Sequence, residues 1–451
     1  MQLSSSSLLV CRSHVTFVEF ISRVNVGECI DGYDLGLTLR TNTITIIGAG
    51  PYGLSIAATL RNRGVPHRIF GAPMHSWAEH MSRGMHLKSE AFASSLYDPR
   101  HEFTLKAFCL AQGLPYQDIG FPVPLAKFVE YGKAFQRELV PHLEPVDVAA
   151  LAQSDKGYVL TLEGGEQLTA EIVILATGIR HFQYVPAGLE TLGPQFLSHT
   201  YDHAALDKFA GQSLAVIGGG ASALGFAALA ADAGAFPEVF VRESSVNIHE
   251  PPDLERPLLE RIRAPWTGLG PSWRSWLCVH LPLVFWSLPE ALRLEIARRH
   301  LGPSGNWTVK KTVEEKVPVH CSKRLEHAEI VKGKLHLHFA GLSGKTIHVA
   351  DHLVAGTGYR ADVDRLTFID ASLRRRIARQ ANGAPALNSH FEASVPGLYF
   401  AGPASASSFG PMFRFVYGAE FASKRIASRV CAVVARQRRS VRASQLKPVI
   451  D

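Results

Sequence analysis

The chain has 451 residues, of which 46% are hydrophobic, 19% charged and 9% aromatic. This is globular composition: it excludes wholesale disorder, collagen and low-complexity architectures. At roughly 100–200 residues per domain it implies two to four domains, or two large ones, with a core that needs no disulfides. The net charge of +7 is concentrated in Arg436, Arg438, Arg439, Arg442 and Lys447 and in Arg374, Arg375, Arg376 and Arg379. No aromatics are interleaved with these runs, so they read as solvated surface and no nucleic-acid partner is expected.

Six cysteines stand singly, with no C-x-x-C pair. That spacing disfavours a zinc ribbon and a redox dithiol, and it fits a reducing, cytoplasmic location. Residues 1–42 have weak periodicity. Their short apolar core, Leu8-Leu9-Val10, has no basic residue before it, so it does not read as a secretory signal. This stretch is expected to be an N-terminal extension, disordered or misassigned.

The first strong pattern is Ile44-Thr45-Ile46-Ile47, then Gly48-Ala49-Gly50-Pro51-Tyr52-Gly53, then a helical run over 54–63 that stops at Gly64. Strand, glycine turn and helix in this order form a dinucleotide site. Gly48 permits the tight turn, Gly50 lets backbone approach a pyrophosphate, and Gly53 lets helix pack on strand. Pro51 suits the first helical turn, whose free N–H groups and positive dipole face phosphate. The next strand, 67–70, ends in Phe70-Gly71, without the acid that usually holds the ribose hydroxyls.

A second unit runs from the strand at 213–217 through Gly218-Gly219-Gly220-Ala221-Ser222-Ala223 into an alanine-rich helix ending at Gly234. Ala223 replaces the third glycine, a permitted change. The following strand, 238–241, ends in Arg242. An arginine there pairs with a 2′-phosphate and favours NADPH; if the adjacent Glu243 sets the preference instead, NADH is possible. Residues 250–307 are rich in Pro, Trp and Arg. They are expected to form a substrate lid, with Arg263, Trp266 and Arg274 as candidate contacts. The apolar run 276–288 contains His280 and Pro282 and is too short to span a bilayer, so a buried or lid segment is expected.

Each half closes alike. Residues 158–162, Gly164-Gly165 and 171–175 lead into Ala176-Thr177-Gly178. Residues 334–339, a turn at 341–344 and 351–354 lead into Ala355-Gly356-Thr357-Gly358-Tyr359. Both read as a hairpin, then a strand ending in a Thr-Gly turn that brings backbone close to a cofactor. A late strand over 397–402 exits at Gly402, and Gly410-Pro411 is expected to open a long helix from 412 to 435. His336 and His338 alternate on one strand without a third ligand nearby, so no metal is expected. G-x-S-x-G and G-x-x-x-x-G-K-[ST] motifs do not occur.

Together the two glycine turns, the paired Thr-Gly turns and the late Gly397-Leu398-Tyr399-Phe400-Ala401-Gly402 strand resemble the two-dinucleotide-binding flavoproteins. Within them the chain most resembles flavin-dependent monooxygenases of the N-hydroxylating and flavin-containing type, through Ser198-His199-Thr200-Tyr201 and Thr357-Gly358-Tyr359. The wording around Trp77, Gly84-Met85-His86-Leu87-Lys88-Ser89 and Gly410-Pro411-Met412 is similar to the bacterial branch with urate hydroxylases and aspartate N-monooxygenases. Two family features are altered. Gly193 and Gln195 occupy the Phe and Gly positions of F-x-G-x-x-x-H before His199, and Pro403 replaces the ribityl-binding Asp after Gly402.

The resemblance implies an α/β fold with two Rossmann-like domains, the NAD(P)H domain inserted into the FAD domain. The expected boundaries are 43–205 and 326–435 for FAD, 206–325 for NADPH and lid, and 436–451 for a basic tail. It implies that NADPH reduces FAD and that dioxygen then gives a peroxide at flavin C(4a). That peroxide would hydroxylate a small nitrogen-containing substrate, urate or an amine or amino acid. Flavin contacts are expected from Trp77, Met85, Gly410, Pro411 and Met412, with helix backbone at Pro411 stabilising reduced flavin. Lys88 and Ser89 are expected to donate to flavin or nicotinamide. His199 either orients cofactor, moves a proton or bonds between domains. The alternatives are a reductase or oxidase without oxygen insertion, and a non-catalytic nucleotide sensor. Oligomeric state is not readable.

Overall fold

The computed structural model describes residues 44–445 apart from residue 343. The N-terminal extension and the last residues of the basic tail lie outside the described residues. Ile44–Ile47 is buried at every position, as are Ile172–Leu175 and Leu398–Phe400. Continuous apolar strands of this kind are covered on both faces, which suits a parallel sheet. They form one: Leu398–Phe400, Ile172–Leu175, Ile44–Ile47 and Arg68–Phe70, in that order and all parallel. A second all-parallel sheet has the order Val319–His320, Phe236–Phe240, Ser213–Ile217, His352–Ala355 and Leu197–His199.

The internal repeat is present as two antiparallel three-stranded sheets. Val148–Ser154, Gly157–Leu162 and Gln167–Ala170 precede the strand of the first parallel sheet at Ile172. Lys323–Val331, Lys334–Gly341 and Gly344–Ala350 precede the strand of the second at His352. The expected boundaries at 206 and 326 therefore differ from the sheets. Leu197–His199 and His352–Ala355 are both strands of the second sheet, paired with each other on one side of Ser213–Ile217. Chain from both sides of the expected insertion thus completes that sheet.

The expected long helix also differs. Residues Pro411–Arg414 and Val416–Gly418 are separate 3-10 turns, and the helix is Ala419–Gln445. The reason is local. Gly410 sits at φ +108°, and Phe415 is extended at φ −117°, ψ 160°. The carbonyls of Phe413 and Phe415 both accept from the Tyr52 hydroxyl, at 3.1 and 2.7 Å, which holds this stretch out of helical register. Downstream, Ala422, Ile426, Ala427 and Val430 are buried at i, i+4, i+5 and i+8, one apolar face. The helix runs on through residues 436–445, part of what was expected to be a basic tail.

Candidate functional site

The first glycine turn behaves as its spacing predicts. Gly48 adopts φ +109°, and a Cβ there would lie 2.4 Å from the Ala176 carbonyl oxygen. A Cβ on Gly53 would lie 1.8 Å from the Gly48 carbonyl oxygen, so the helix Pro51–Asn62 can approach its strand only at glycine. Gly50 differs: its φ is −84° and a Cβ there would meet nothing within 4 Å. The space it faces is an elongated cavity lined by Gly48, Gly50, Pro51 and Tyr52. Thr177, Gly178, Gly402 and Pro403 form its walls. An open cradle of backbone N–H groups at a helix N-terminus fits a pyrophosphate.

The cavity wall also holds carboxylates that sequence reasoning missed. Asp147 and Glu163 line it, and Asp147 Oδ1 comes 3.7 Å from the Cβ position of Gly71, the residue after Arg68–Phe70. A carboxylate thus stands beside the end of that strand, carried by a residue entering the first antiparallel sheet. Arg180, also in the wall, pairs with Asp147. No local spacing connects Gly71 to Asp147, so only tertiary pairing could reveal it. At Gly402, Pro403 leaves no carboxylate in the ribityl position.

Met74, Trp77, Met81, Arg414, Phe415 and Val416 are also in the wall. Trp77 is there as expected, packed edge-on against Phe128 at 4.8 Å. Gly410, Pro411 and Met412 are not in this wall; they are buried behind it. The Cβ position of Gly410 faces the Phe285 ring at 3.4–3.6 Å. Because the long helix begins at Ala419, its N-terminus is not at Pro411, and the expected backbone contact from that helix falls away. Arg414, unremarked in the sequence, reaches the cavity instead. Met85 also lies outside the wall; its carbonyl accepts from the Leu125 N–H at 3.0 Å. The tryptophans of 273–286 are elsewhere too: the Trp286 indole donates to the Leu387 carbonyl at 2.8 Å.

The second glycine turn leads into the helix Ala221–Asp232. Gly218 has φ +134°, its Cβ position 2.3 Å from the Gly356 carbonyl oxygen, and Gly356 packs on Ala223. The Thr357-Gly358-Tyr359 turn thus lies against this turn rather than in the first cavity. Ser222 is in the first turn of the helix. Arg242, two residues past the strand Phe236–Phe240, is 76% exposed and 3.7 Å from Glu243. An exposed guanidinium at that strand end, loosely paired with Glu243, suits a 2′-phosphate.

The Lys88 ammonium donates to the Ser304 hydroxyl at 2.6 Å and carbonyl at 3.1 Å, and that hydroxyl is 2.9 Å from His249 Nε2. Ser304 follows Pro303, whose Cβ is 3.5 Å from the Cβ position of Gly220. Burial, with a smaller contribution from the charge of Arg414, pushes the Lys88 pKa down to about 8. Lys88 is therefore placed beside the second glycine turn, within reach of the charge of Arg414 but outside the cavity wall. Ser89, its neighbour, does not line the cavity.

His199 is 2% exposed. The Tyr201 N–H donates to its Nδ1 at 3.1 Å, so the Nε2–H donates to the Gly358 carbonyl at 3.1 Å. Both nitrogens are engaged and burial lowers the pKa. Of the three roles expected for it, bonding between segments is the one this geometry serves; proton transfer is not. His338 bonds Glu329 at 3.0 Å, and no group of three metal-ligating side chains occurs among the described residues.

Two parallel sheets, each opening at a glycine turn on a helix N-terminus, define a two-dinucleotide-binding flavoprotein oxidoreductase. Residues 42–426 match the family described as pyridine nucleotide-disulphide oxidoreductase, and the chain belongs to it. It is 25% identical over 345 residues to indole-3-pyruvate monooxygenase YUCCA1 of Oryza sativa subsp. japonica, covering 70% of this chain and 77% of that protein. Its fold is similar to those of two solved bacterial enzymes. One is the FAD-bound cadaverine monooxygenase DfoA of Erwinia amylovora (TM-score 0.63, 18% identity, 85% of this chain and 92% of that one). The other is the ornithine N-hydroxylase KtzI of Kutzneria sp. 744, solved with reduced FAD, NADP+ and L-ornithine (TM-score 0.66, 15% identity, 88% of this chain and 100% of that one). The fold is that of the FAD- and NADPH-binding flavoprotein monooxygenases.

Proposed function

We propose that the protein is an FAD- and NADPH-dependent monooxygenase that hydroxylates a small nitrogen-containing acid, an amino acid or urate. The observation that carries this reading is a single cavity whose wall brings together Asp147 and Glu163, the Gly50 cradle, Trp77 and Arg414. Asp147 would hold the adenosine ribose, the Gly50 turn the pyrophosphate, and the apolar wall around Trp77 and Phe415 the flavin ring. Bound FAD would supply the electron transfer and oxygen activation that side chains cannot. The protein's part is to bind, orient and keep water away from the reacting atoms.

NADPH would sit on the second glycine turn with its 2′-phosphate at Arg242. Lys88, beside Ser304, would meet its nicotinamide end. The acid in the substrate follows from charge. Arg414 lines the cavity and Lys88 lies outside its wall, near enough to feel the charge of Arg414; neither has a carboxylate partner among the described residues. An anionic substrate group would supply one; amino acids carry a carboxylate and urate is an anion at neutral pH.

A disulfide reductase is less well supported, because no cysteine lines the cavity. The test is NADPH-driven oxygen uptake by the flavin-loaded protein, with product and hydrogen peroxide both quantified across amino acids, diamines and urate. Oxygen uptake matched by hydroxylated product supports the reading. Uptake matched by hydrogen peroxide for every substrate supports an oxidase, and failure to retain flavin overturns the reading.

A further inference from the structure

Nine of the fifteen large hydrophobic side chains exposed among the described residues fall between 254 and 292. They are not scattered. Leu258, Leu259 and Ile262 are 72%, 59% and 58% exposed on the helix Leu258–Arg263, which has no buried residue. Trp273, Leu277 and Val284 are 51%, 49% and 54% exposed on the consecutive helices Trp273–His280 and Pro282–Ser287. The Trp273 indole donates to the Ile262 carbonyl at 3.0 Å, so the two groups are adjacent. On their inner side the same two helices bury Ser275, Cys278, Pro282 and Phe285. Helices apolar on both faces are ordinarily covered on both, and a patch this extended marks an interaction site.

The charge around the patch identifies what covers it. Residues 254–292 carry Arg256, Arg261, Arg263 and Arg274 against Glu255, Glu260 and Glu290, the last of which accepts from the Ala381 N–H at 2.7 Å. Arg256 turns inward to the Glu260 and Ala264 carbonyls, leaving the other three arginines on this segment. Apolar side chains with tryptophan among them and arginines beside them match a bilayer interface with anionic headgroups: acyl chains take the leucines, phosphates take the guanidinium groups. We propose that this face docks the protein on an anionic membrane surface, lying in the interface without crossing it. No helix among the described residues is long and apolar enough to cross. The docked segment is tied to the cavity through His300, which bonds Ser275 of the helix Trp273–His280 at 3.2 Å and whose carbonyl accepts from Arg414 of the cavity wall at 2.8 Å, so the site would open close to the lipid.

The experiment is flotation of the flavin-loaded protein with phosphatidylglycerol-containing vesicles and with pure phosphatidylcholine vesicles. Two variants accompany it: L258S/L259S/I262S, and R261E/R263E. All five side chains are exposed, and retained circular dichroism and flavin content check that both variants fold. The expected result is flotation with the anionic vesicles, reduced at least about tenfold by either variant, with a blue shift of tryptophan emission on binding. Wild type that fails to float at low salt overturns the proposal, as does flotation unchanged by the serine substitutions. A wild-type dimer that the serine variant converts to monomer without vesicles overturns it in favour of a second copy of the chain.

Discussion

Replacing Gly50 and Gly53 separately by alanine tests whether the first turn is a cofactor cradle or only a packed corner. The two glycines are three residues apart, yet their surroundings oppose. At Gly53 the new methyl would sit 1.8 Å from a backbone oxygen, so the helix Pro51–Asn62 must move by more than 1 Å, by the 3.0 Å minimum that real Cβ contacts keep. Such overpacking costs about 1–3 kcal/mol and more against rigid backbone, which exceeds the ~1 kcal/mol helix-propensity gain of alanine. A net loss of about 2 kcal/mol lowers Tm by roughly 4–8 °C. At Gly50 the methyl enters open space at an ordinary φ of −84°. Losing glycine at an N-cap costs up to ~1 kcal/mol, and the stiffer unfolded chain returns about 0.4–1 kcal/mol, so apo stability barely changes. The methyl instead displaces the phosphate. Losing one charge-assisted hydrogen bond costs about 1.5–3 kcal/mol, or about 10–150-fold in the Kd for FAD. Thermal melts of apo-protein and flavin fluorescence titrations read the two effects separately. Wild-type FAD affinity in the Gly50→Ala protein would refute the cradle.

Asp147→Asn is expected to weaken FAD binding by about tenfold, as a charged acceptor becomes a neutral one; unchanged affinity would place the ribose elsewhere. Arg242→Ala removes a side chain that is 76% exposed, so Tm should hold while the KM for NADPH rises about 10–100-fold and that for NADH stays, an interaction of about 1.5–3 kcal/mol. Lys88 has a folded pKa of about 8 against about 10.4 in an unfolded chain. Between those values the unfolded chain binds more protons, so its contribution raises stability as pH climbs from 8 toward 10. Urea denaturation of wild type should show that rise, on the order of 2–3 kcal/mol, and Lys88→Met should lack it. His199→Gln, which keeps an N–H for the Gly358 carbonyl, should leave the pH dependence of kcat between 5.5 and 8 unchanged; a lost ionisation there would return the residue to proton transfer.

Local pattern was enough wherever consecutive residues make the structure. Both strand–glycine–helix units were legible because backbone sterics act over a few residues: Gly48 needs positive φ, and Gly53 needs the missing Cβ. The repeated hairpin was legible for the same reason. What local pattern could not show was which sheet each piece joins, since strand partners are chosen by side chains distant in sequence. His352–Ala355 was assigned to the flavin half and pairs with Ser213–Ile217. The carboxylate that stands beside the end of the second strand, Asp147, is brought to Gly71 by the first antiparallel sheet. The segment after Gly410 read as helix by composition, but two hydrogen bonds from Tyr52, more than 350 residues earlier, hold it otherwise. In that rearranged segment Arg414, not Met412, reaches the cavity. The sequence by itself determined the class of cofactor site, because phosphate is bound by backbone; tertiary structure decided which side chains complete it, because they come from segments that meet only when the sheets assemble.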